Sequence, residues 1–485
     1  MNFISRIIIL FFLKIPSPVI SQNVNDWYNS FKEQAINEYQ SFRDKANEEY
    51  ADFMRDAWEY YEIAPAIPAP KEEPVPPVIY DGEKDEDKEE QIIVVLDTIV
   101  IPSPQPQPEP IEPIKPRPEP SVSICRFDFF ETPCEVRIPR NLLKLNGIEN
   151  DAIADGWEIL SNGEYDVTLY DCLQLREELQ LCDWGYLLLL KEISTNAYQV
   201  TNNESMLFAA WLYCQSGYQM RLAEDDGKLH LLYASRYVIY DQPYVPLDGY
   251  NYYSFLPLSE KAQLCNFSFN NEQPLSLQIP KYPRLRKKYS SERVLKSERY
   301  PDIQVSSKIN RNLINFYNTY PTSEIDSNHM TRWAMYANTP LADDVKKSIY
   351  PVLEQQIKGL SKRDAVEKLL NFVQTAFVYK LDDEVWGGDR ALFAEETLYY
   401  PYADCEDRSI LFSRLVRDLL DLPVVLVYYP GHLATAVAFS NMEKGDCIIL
   451  NGQRFTICDP TYIGAPVGAT MPKMSNESAQ VILLD

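Results

Sequence analysis

The sequence predicts an α+β protein in which a long helix and a proline-rich linker precede two folded regions. At 485 residues the chain is too long for one ordinary core, and 45% hydrophobic residues supply apolar surface for two or three. Helical periodicity and short β-branched runs alternate from residue 121 onward. Residues 64–120, in contrast, hold 15 of the 35 prolines, and such a segment cannot build a core.

Residues 1–21 are predicted to form a signal peptide. Arg6 supplies a positive start, Ile7–Leu13 an apolar run, and Val19-Ile20-Ser21 a small-residue cleavage site before Gln22. No later segment reaches the ~18 apolar residues that a membrane span needs. We therefore expect an exported protein that is periplasmic, cell-surface or secreted.

The net charge and the cysteines limit which binding partners and which metal or disulfide sites the sequence supports. The net charge of −25 argues against nucleic acid or anionic lipid as the main partner, because both require basic surfaces. The nine cysteines include no CxxC pair of the kind that binds zinc. Most are expected to be buried, and Cys125 with Cys134 is the pair we consider for a disulfide.

Residues 22–63 carry an 11-residue repeat that predicts one long amphipathic helix. Eleven residues make three helical turns, so apolar residues at this spacing share one nearly straight stripe. The stripe consists of Phe31, Ala35, Tyr39, Phe42, Ala46, Tyr50, Phe53, Ala57 and Tyr61. We expect it to pack on the protein's own domain or to self-associate with a second copy; an envelope surface is the third alternative.

Residues 64–120 form an acidic, proline-rich linker whose composition favours extended polyproline geometry. One island differs, because Ile92–Leu96, continuing to Ile101, is strongly β-prone. A bare strand of this kind would aggregate. We therefore expect it to add to the edge of a sheet in a folded domain.

Residues 121–300 are predicted to form a mixed α+β domain. Helical patterns cover Asp166–Leu181 and Glu204–Cys214. Asp225-Asp226-Gly227 predicts a tight turn between two strands. The predicted strands are Gln219–Ala223, Leu229–Ser235 and Tyr237–Tyr240.

This middle region also aligns with the C-terminal region without a gap. A shift of 204 residues places Ser205–Phe208 on Ser409–Phe412. Residues 121–300 can therefore be a degenerate copy of the C-terminal domain, although helix–strand–strand patterns also match by chance. The aligned pairs would be Thr201 with Cys405 and Lys228 with His432.

Cys405 lies where a nucleophile can be activated. The apolar pattern that begins at Ile410 predicts a helix with one buried face, and Asp404 is its natural N-cap. Cys405 then occupies the first turn, where unpaired backbone N–H groups and the helix dipole stabilise a thiolate. We therefore expect the pKa of Cys405 to be lowered.

His432 and Asp459 follow Cys405 in the order that a thiol catalyst needs. His432 is one of three histidines in the chain and the only one after Cys405. It opens a predicted strand, and Asp459 ends another. The imidazole would take the thiol proton, and the Asp459 carboxylate would fix its tautomer. The predicted strands are Pro423–Tyr429, Leu433–Phe439 and Arg454–Cys458.

Five short motifs lie around these three residues: Trp386-Gly387-Gly388-Asp389, Glu395-Glu396-Thr397-Leu398, Ala403-Asp404-Cys405-Glu406-Asp407, Gly431-His432 and Asp459-Pro460-Thr461. Together they resemble the transglutaminase-like superfamily, especially its bacterial cysteine peptidases. The similarity covers residues 361–467, and Ala403 stands where the family usually has Gly. The resemblance implies a papain-like catalytic core within residues 301–485, with Cys405, His432 and Asp459 as its triad, that cleaves or transfers acyl groups at peptide or side-chain amides.

Two further features of this site have alternatives. One oxyanion donor is expected to be the backbone N–H of Cys405. The candidates for the second are Tyr399, Trp386 and Gln374, which core packing explains equally well. The chemistry requires no cofactor, but in similar bacterial peptidases acidic residues beside the cysteine bind calcium. That places a calcium candidate at Asp404 and Glu406, which helix capping also explains.

The predicted function is an exported thiol-dependent hydrolase or acyltransferase that acts on a protein or peptide in the bacterial envelope. Charged residues and tyrosines around Cys405 do not suggest a dry channel, which favours hydrolysis over transfer to an amine. The alternative is a catalytically silent transglutaminase-like binding or scaffold protein of the envelope.

Overall fold

The computed structural model describes residues 21–71, 75–82, 90–95, 97–101 and 121–485. The predicted signal peptide up to residue 20, most of the acidic run and most of the proline-rich part of the linker lie outside the described residues. Within those ranges, no helix combines the length and the apolar character that crossing a membrane requires. The architecture is mixed α+β, as the sequence predicts.

The elements fall into three stretches of chain. The N-terminal stretch contains α1 (Ser21–Asp56), β1 (Trp58–Tyr60), β2 (Ile92–Val95) and β3 (Thr98–Ile99). The middle region contains β4 (Val122–Phe129), β5 (Thr132–Pro139), α2 (Asn150–Ser161), α3 (Asp166–Glu178), α4 (Asp183–Tyr198), α5 (Asn203–Gln215), β6 (Met220–Asp225), β7 (Lys228–Ser235), β8 (Tyr237–Ile239), β9 (Val245–Leu247), β10 (Tyr250–Ser254), β11 (Gln263–Cys265) and β12 (Arg293–Lys296). The C-terminal region contains β13 (Gln304–Ser307), α6 (Arg311–Tyr317), β14 (Ser323–Ile325), α7 (Thr331–Asn338), α8 (Asp343–Ile357), α9 (Lys362–Thr375), α10 (Asp382–Val385), α11 (Ala394–Tyr399), α12 (Cys405–Leu420), β15 (Val424–Tyr429), β16 (His432–Ala438), β17 (Cys447–Leu450), β18 (Gln453–Cys458) and β19 (Gln480–Leu483).

Helix α1 packs on the protein's own middle region through its C-terminal half. Tyr50 and Met54 are buried, and the Tyr50 ring meets the Trp157 ring edge-on with centroids 4.7 Å apart. Arg43 forms a buried ion pair with Asp166 at 3.0 Å. Own-domain packing, one of the predicted alternatives, is therefore what covers the described part of this helix.

The predicted 11-residue stripe coincides only in part with the covered face, since Tyr50 belongs to both. Phe42 and Phe53 belong to the stripe but are 50% and 37% exposed, whereas Arg43 and Asn47 are buried. The helix also ends at Asp56, and residues 58–60 pair with β11, so the prediction of helix to residue 63 was wrong. The reason is that the β11 edge of the middle sheet offers the backbone of residues 58–60 hydrogen-bond partners.

A seven-stranded sheet dominates the C-terminal region, with the order β2-β17-β18-β16-β15-β19-β3. Strands β2 and β3 are neighbours in the linker, yet β2 pairs in parallel with β17 at one edge and β3 in parallel with β19 at the other. The sheet therefore curls until both edges meet the same short segment. The prediction that this β-prone island adds to a sheet edge is confirmed, and it covers two edges.

The middle region contains a sheet with a matching order. Its strands run β11-β6-β7-β10-β9, with β1 added outside β11, and the corresponding C-terminal strands run β19-β15-β16-β18-β17. All neighbouring pairs in these two five-strand sets are antiparallel. A helix that begins in a capping box precedes each set, α5 in the middle region and α12 in the C-terminal region.

The first hairpins of the two sets align at the predicted shift. Asp225 pairs with Lys228 across one turn, and Tyr429 pairs with His432 across the other, 204 residues later. The helix starts align differently, because Asn203 and Cys405 are each the first residue of their helix. Asn203, rather than Thr201, therefore occupies the position of Cys405 in the middle region.

The two helices predicted in the middle region are present, with ends within three residues of those predicted. The predicted tight turn at Asp226-Gly227 joins β6 to β7, and both residues have a positive φ.

The disulfide that we considered between Cys125 and Cys134 does not form. Cys125 and Cys134 are both free, because Cys134 lies opposite Phe127 in the β4–β5 hairpin and Cys125 lies opposite Val136. A continuous apolar core joins the helices of both regions, and smaller clusters lie on the two large sheets.

Candidate active site

Cys405 begins α12 in the position that the sequence predicts. Asp404 is the N-cap, and its backbone N–H donates to the Asp407 carboxylate at 3.4 Å. This contact links the cap residue to the first turn of α12. Cys405 is 5% exposed, so its thiol lies inside the protein.

The environment of the thiol differs from the one predicted. The Cys405 Sγ donates a hydrogen bond to the Glu406 carboxylate at 3.1 Å. Burial, with the negative charges of Glu406 and Asp404, raises the pKa of Cys405 well above its usual value. The expectation of a lowered pKa was therefore wrong for this state, because burial and two carboxylates outweigh the helix terminus.

His432 and Asp459 form a buried pair beside Cys405. The His432 Nε2 lies 2.8 Å from the Asp459 Oδ2, and the two side chains are almost fully inaccessible. His432 reaches this position because it follows the tight turn at Gly431, which has a φ of +74° that glycine adopts without strain. Such pairing orients the imidazole and leaves Nδ1 for another partner.

The loop after Asp459 is fixed by Gln374. The Asp459 Oδ1 accepts the backbone N–H groups of Thr461 and Tyr462 at 2.8 and 3.2 Å. The Gln374 Nε2 donates to the backbone oxygens of Asp459, Tyr462 and Ala465. The donor capacity of Gln374 is thereby used on the loop, so it positions Asp459 and is not available as an oxyanion donor.

The other two predicted oxyanion donors also lie away from the thiol. The Trp386 ring packs edge-on against Tyr400 at 4.7 Å and under the Arg390 guanidinium at 4.5 Å. The Tyr399 ring packs against Tyr400 at 4.9 Å. Neither lines the pocket that contains Cys405 and His432. Core packing therefore accounts for both.

Tyr379 lies near Cys405, although it does not line the pocket, and it was not among the residues that the sequence predicts for the site. Its hydroxyl is buried and has no hydrogen-bond partner among the described residues. Burial and the neighbouring Cys405 raise the pKa of Tyr379, so the hydroxyl stays protonated and able to donate. The Arg408 guanidinium lies 5.4 Å from its ring centroid. No local pattern distinguishes Tyr379 from the other tyrosines, since only the packing of the α9 end against α12 brings it here.

Cys405 and His432 line one pocket, with Gly431 and Leu433 beside them. The His432 Nδ1 is buried and has no partner within the described ranges, and the Cys405 thiol faces Glu406. The structure thus brings the three predicted residues together, because Cys405 and His432 line one pocket and Asp459 binds His432.

A buried acidic cluster adjoins the thiol. Ligand atoms of Asp382, Asp389 and Glu406, and those of Asp382, Asp404 and Asp407, lie within 4.8 Å of one another. The Asp404 Oδ1 is buried and without a partner in the described part of the chain. Burial and Glu406 raise the pKa of Asp382 to about 8. Asp404 and Glu406, the calcium candidates that the sequence predicts, fall in different oxygen-only sets and share a set only with the Cys405 sulfur.

The guanidinium group of a buried arginine contacts this acidic cluster. Arg332 is 2% exposed, pairs with Asp389 at 2.5 Å, and lines the same pocket as Cys405. Its Nε and Nη1 atoms have no partner among the residues described. Arg332 therefore neutralises part of the acidic cluster, and it was not identified from the sequence because it lies 73 residues before Cys405.

Comparison with known proteins leaves the site to be interpreted from its own geometry. No protein-family model, no curated protein and no solved structure matches the chain.

Proposed function

We propose that the protein is an exported thiol-dependent hydrolase of peptide or side-chain amides, with a transglutaminase-like, papain-like C-terminal core. The observation that carries this proposal is the buried His432–Asp459 pair, 2.8 Å apart, in one pocket with a cysteine at a helix start. A histidine oriented by a carboxylate beside a thiol is the arrangement that nucleophilic catalysis requires.

The reaction would begin with rotation of the Cys405 thiol from Glu406 to the His432 Nδ1. The sulfur transfers its proton to Nδ1 and attacks the amide carbonyl carbon, and the charge develops on the carbonyl oxygen. The Cys405 backbone N–H and the Tyr379 hydroxyl are the donors for that oxygen. The imidazolium protonates the leaving amine, which departs and leaves a thioester on Cys405.

Hydrolysis completes the cycle. His432 takes a proton from water, the hydroxide adds to the thioester, and the sulfur leaves and recovers its proton as the carboxylate product forms. Transfer to a primary amine would require a pocket that disfavours water. The pocket wall contains Asp382, Asp383 and Glu406, which favour water entry. A labelled amine at millimolar concentration should therefore be a minor acceptor, and predominantly amine-linked product would assign a transglutaminase instead.

We also propose that calcium binds in the acidic cluster beside Cys405. The carboxylates of the acidic cluster, Asp404 and Glu406 among them, would hold it, and its charge would lower the pKa of the adjacent thiol. We expect millimolar calcium to raise the melting temperature and to speed alkylation of Cys405. Asp404→Asn should remove both responses, while Asp383→Asn, at an exposed residue of the pocket rim, should retain them.

The test of the catalytic proposal uses the full chain, a broad electrophilic thiol probe and a denatured protein substrate, with cleavage and deamidation read by mass spectrometry. Cys405→Ala and His432→Ala should abolish labelling and turnover with the fold retained. Asp459→Asn should lower turnover by up to about 10⁴. Cys134→Ala, in the distant β4–β5 hairpin, should match the wild type.

A separate substitution tests the oxyanion donor. Tyr379→Phe should lower kcat by about 10² with KM little changed, since the hydroxyl would act on the transition state. Tyr402→Phe is the matched control. Turnover that survives Cys405→Ala would move the nucleophile elsewhere, and inactivity of every form would favour the scaffold alternative.

The matching strand order supports the proposal that the middle region is a second, non-catalytic copy of this core. Asn203 lies where Cys405 does, and Lys228 lies where His432 does. The Asn203 amide donates to the Gly227 oxygen and accepts the Leu229 N–H, both at 3.0 Å. The position that holds the nucleophile in one copy is therefore a structural clamp in the other.

A further inference from the structure

A segment of the linker lies along the candidate active site. We call residues 75–80 the strap; Lys71, which precedes it in the chain, is also described. The Val75 backbone N–H donates to the Gly431 oxygen at 3.0 Å, directly before His432. Lys71 lines the same pocket as Cys405 and His432. The strap therefore approaches the site from the side of the histidine.

The strap then follows the loop that carries Asp459. The Ile463 N–H donates to the Val78 oxygen, and the Tyr80 N–H donates to the Ile463 oxygen, both at 2.9 Å. Val75, Val78 and Tyr80 pack on a small apolar cluster of the loop, formed by Tyr462, Ala465 and Met471. The Tyr80 and Tyr462 rings meet edge-on at 5.4 Å.

These contacts resemble the way in which proteins recognise an extended peptide through its backbone. Backbone groups of Gly431 and Ile463 bind the backbone of an extended segment, and an apolar patch takes alternate side chains. Exposure follows this alternation, since Ile79, between Val78 and Tyr80, is 77% exposed. Pro76 and Pro77 keep the segment extended, which lowers the entropy lost on binding.

We propose that the groove formed by Gly431, Ile463 and the Tyr462 cluster binds an extended peptide, and that the strap occupies it in the resting chain. This inference rests on the proposed function, because it identifies the substrate of the proposed hydrolase as an extended polypeptide. A substrate must displace the strap to reach Cys405. The low exposure of Cys405, 5%, and of His432, 1%, is consistent with a closed site.

The experiment compares Val75→Pro with Ile79→Ala in the full chain. Proline at 75 removes the N–H that binds Gly431 and suits its neighbour Pro76, whereas Ile79 contributes an exposed side chain. Alkylation of Cys405, read by mass spectrometry, should rise about fivefold in Val75→Pro, as loss of one neutral hydrogen bond predicts. Ile79→Ala should match the wild type.

A peptide with the sequence of residues 66–82, added in excess, should restore slow alkylation to Val75→Pro. Tyr80→Ala, which removes the aromatic contact with Tyr462, is a second variant that should also speed alkylation if Val75→Pro disturbs folding. Unchanged alkylation in both variants would overturn the strap. Faster alkylation in the variants, with no turnover in the wild type or any variant, would retain the strap and reject the proposed hydrolase. Measurable turnover, with both alkylation and turnover equal in all forms, would retain the hydrolase and reject the strap.

Discussion

At Cys405 two opposing effects act on one thiol. A helix N-terminus stabilises a nearby anion by about 0.3–1 kcal/mol, and by about 2 kcal/mol in buried geometries. Full burial can raise the pKa of an acid by about 3–5 units, at about 1.4 kcal/mol per unit. Glu406 and Asp404 act in the same direction as burial. Burial and charge therefore exceed the dipole, and the resting sulfur is a thiol.

Glu406→Gln is expected to make Cys405 more reactive. The substitution removes the negative charge that accepts the thiol hydrogen bond at 3.1 Å, so the pKa of Cys405 should fall. The rate of alkylation by iodoacetamide, followed against pH, should shift to lower pH by about one unit or more. Glu384→Gln, which removes an equal charge at an exposed residue, is the control. An unchanged profile in Glu406→Gln would show that burial alone sets the pKa.

Helix α1 is held by one face of its C-terminal half. Tyr50 is 1% exposed and packs on Trp157, Phe267 and Phe269, and Arg43 and Asn47 bind buried polar groups on the middle region. An ion pair at low exposure adds specificity of register more than net stability. The free energy of docking therefore comes mainly from Tyr50 and Met54.

Tyr50→Ala should lower the free energy of unfolding by about 3–5 kcal/mol, because it leaves a cavity among aromatic rings. Phe42→Ala, on a half-exposed neighbour in the same helix, should cost less than about 1 kcal/mol. Urea titration followed by tryptophan fluorescence measures both. Equal losses would mean that Phe42 contributes as much as Tyr50 to the packing of α1, which the observed face contradicts.

The junction of α8 and α11 contains a buried carboxyl. Glu395 is 2% exposed, and its Oε1 accepts the Ala342 N–H at 2.6 Å before α8 begins. Burial raises the pKa of Glu395 to about 8 from an unfolded value near 4.5. Between those values the folded protein binds the proton and the unfolded chain releases it. The contribution of Glu395 to the free energy of unfolding is therefore largest below about pH 4.5, and it declines as the pH rises to about 8.

Glu395→Gln should flatten this decline, since glutamine keeps the acceptor for Ala342 and has no proton to lose. The melting temperature of the wild type should fall from pH 5 to pH 8 more steeply than that of the variant. Glu354→Gln, at an exposed position of α8, should keep the wild-type slope. Parallel slopes for wild type and Glu395→Gln would contradict the raised pKa of Glu395.

At the scale of the whole molecule, a piece of linker completes the C-terminal sheet. Strands β2 and β3 cover β17 and β19, and uncovered edges of this kind pair with other chains. Replacing residues 92–99 by a Gly-Ser segment of equal length should lower the melting temperature and produce oligomers in light scattering. The same replacement at residues 83–89 is the control, and oligomers there as well would trace association to the linker in general.

The described segments of the linker therefore pack on the folded regions. Residues 58–60 pair with the middle sheet, the strap contacts Gly431 and Ile463, and strands β2 and β3 cover two sheet edges. Proline content reports local stiffness, and it says nothing of the surface that an extended segment covers.

The sequence by itself determined the local elements and the order of the site residues. The cap at Asp404, the turns at Gly227 and Gly431, and the strands that end at Tyr429 and Cys458 each depend on residues within a few positions, where propensity and turn geometry act. Cys405, His432 and Asp459 could be selected for the same reason. Only the tertiary structure decided that the thiol faces Glu406, that Gln374 holds the Asp459 loop, that Arg332 lines the pocket and Tyr379 lies near Cys405, and that the strap contacts Gly431 and Ile463. Those features depend on burial and on contacts between residues far apart in the chain, which local pattern does not encode.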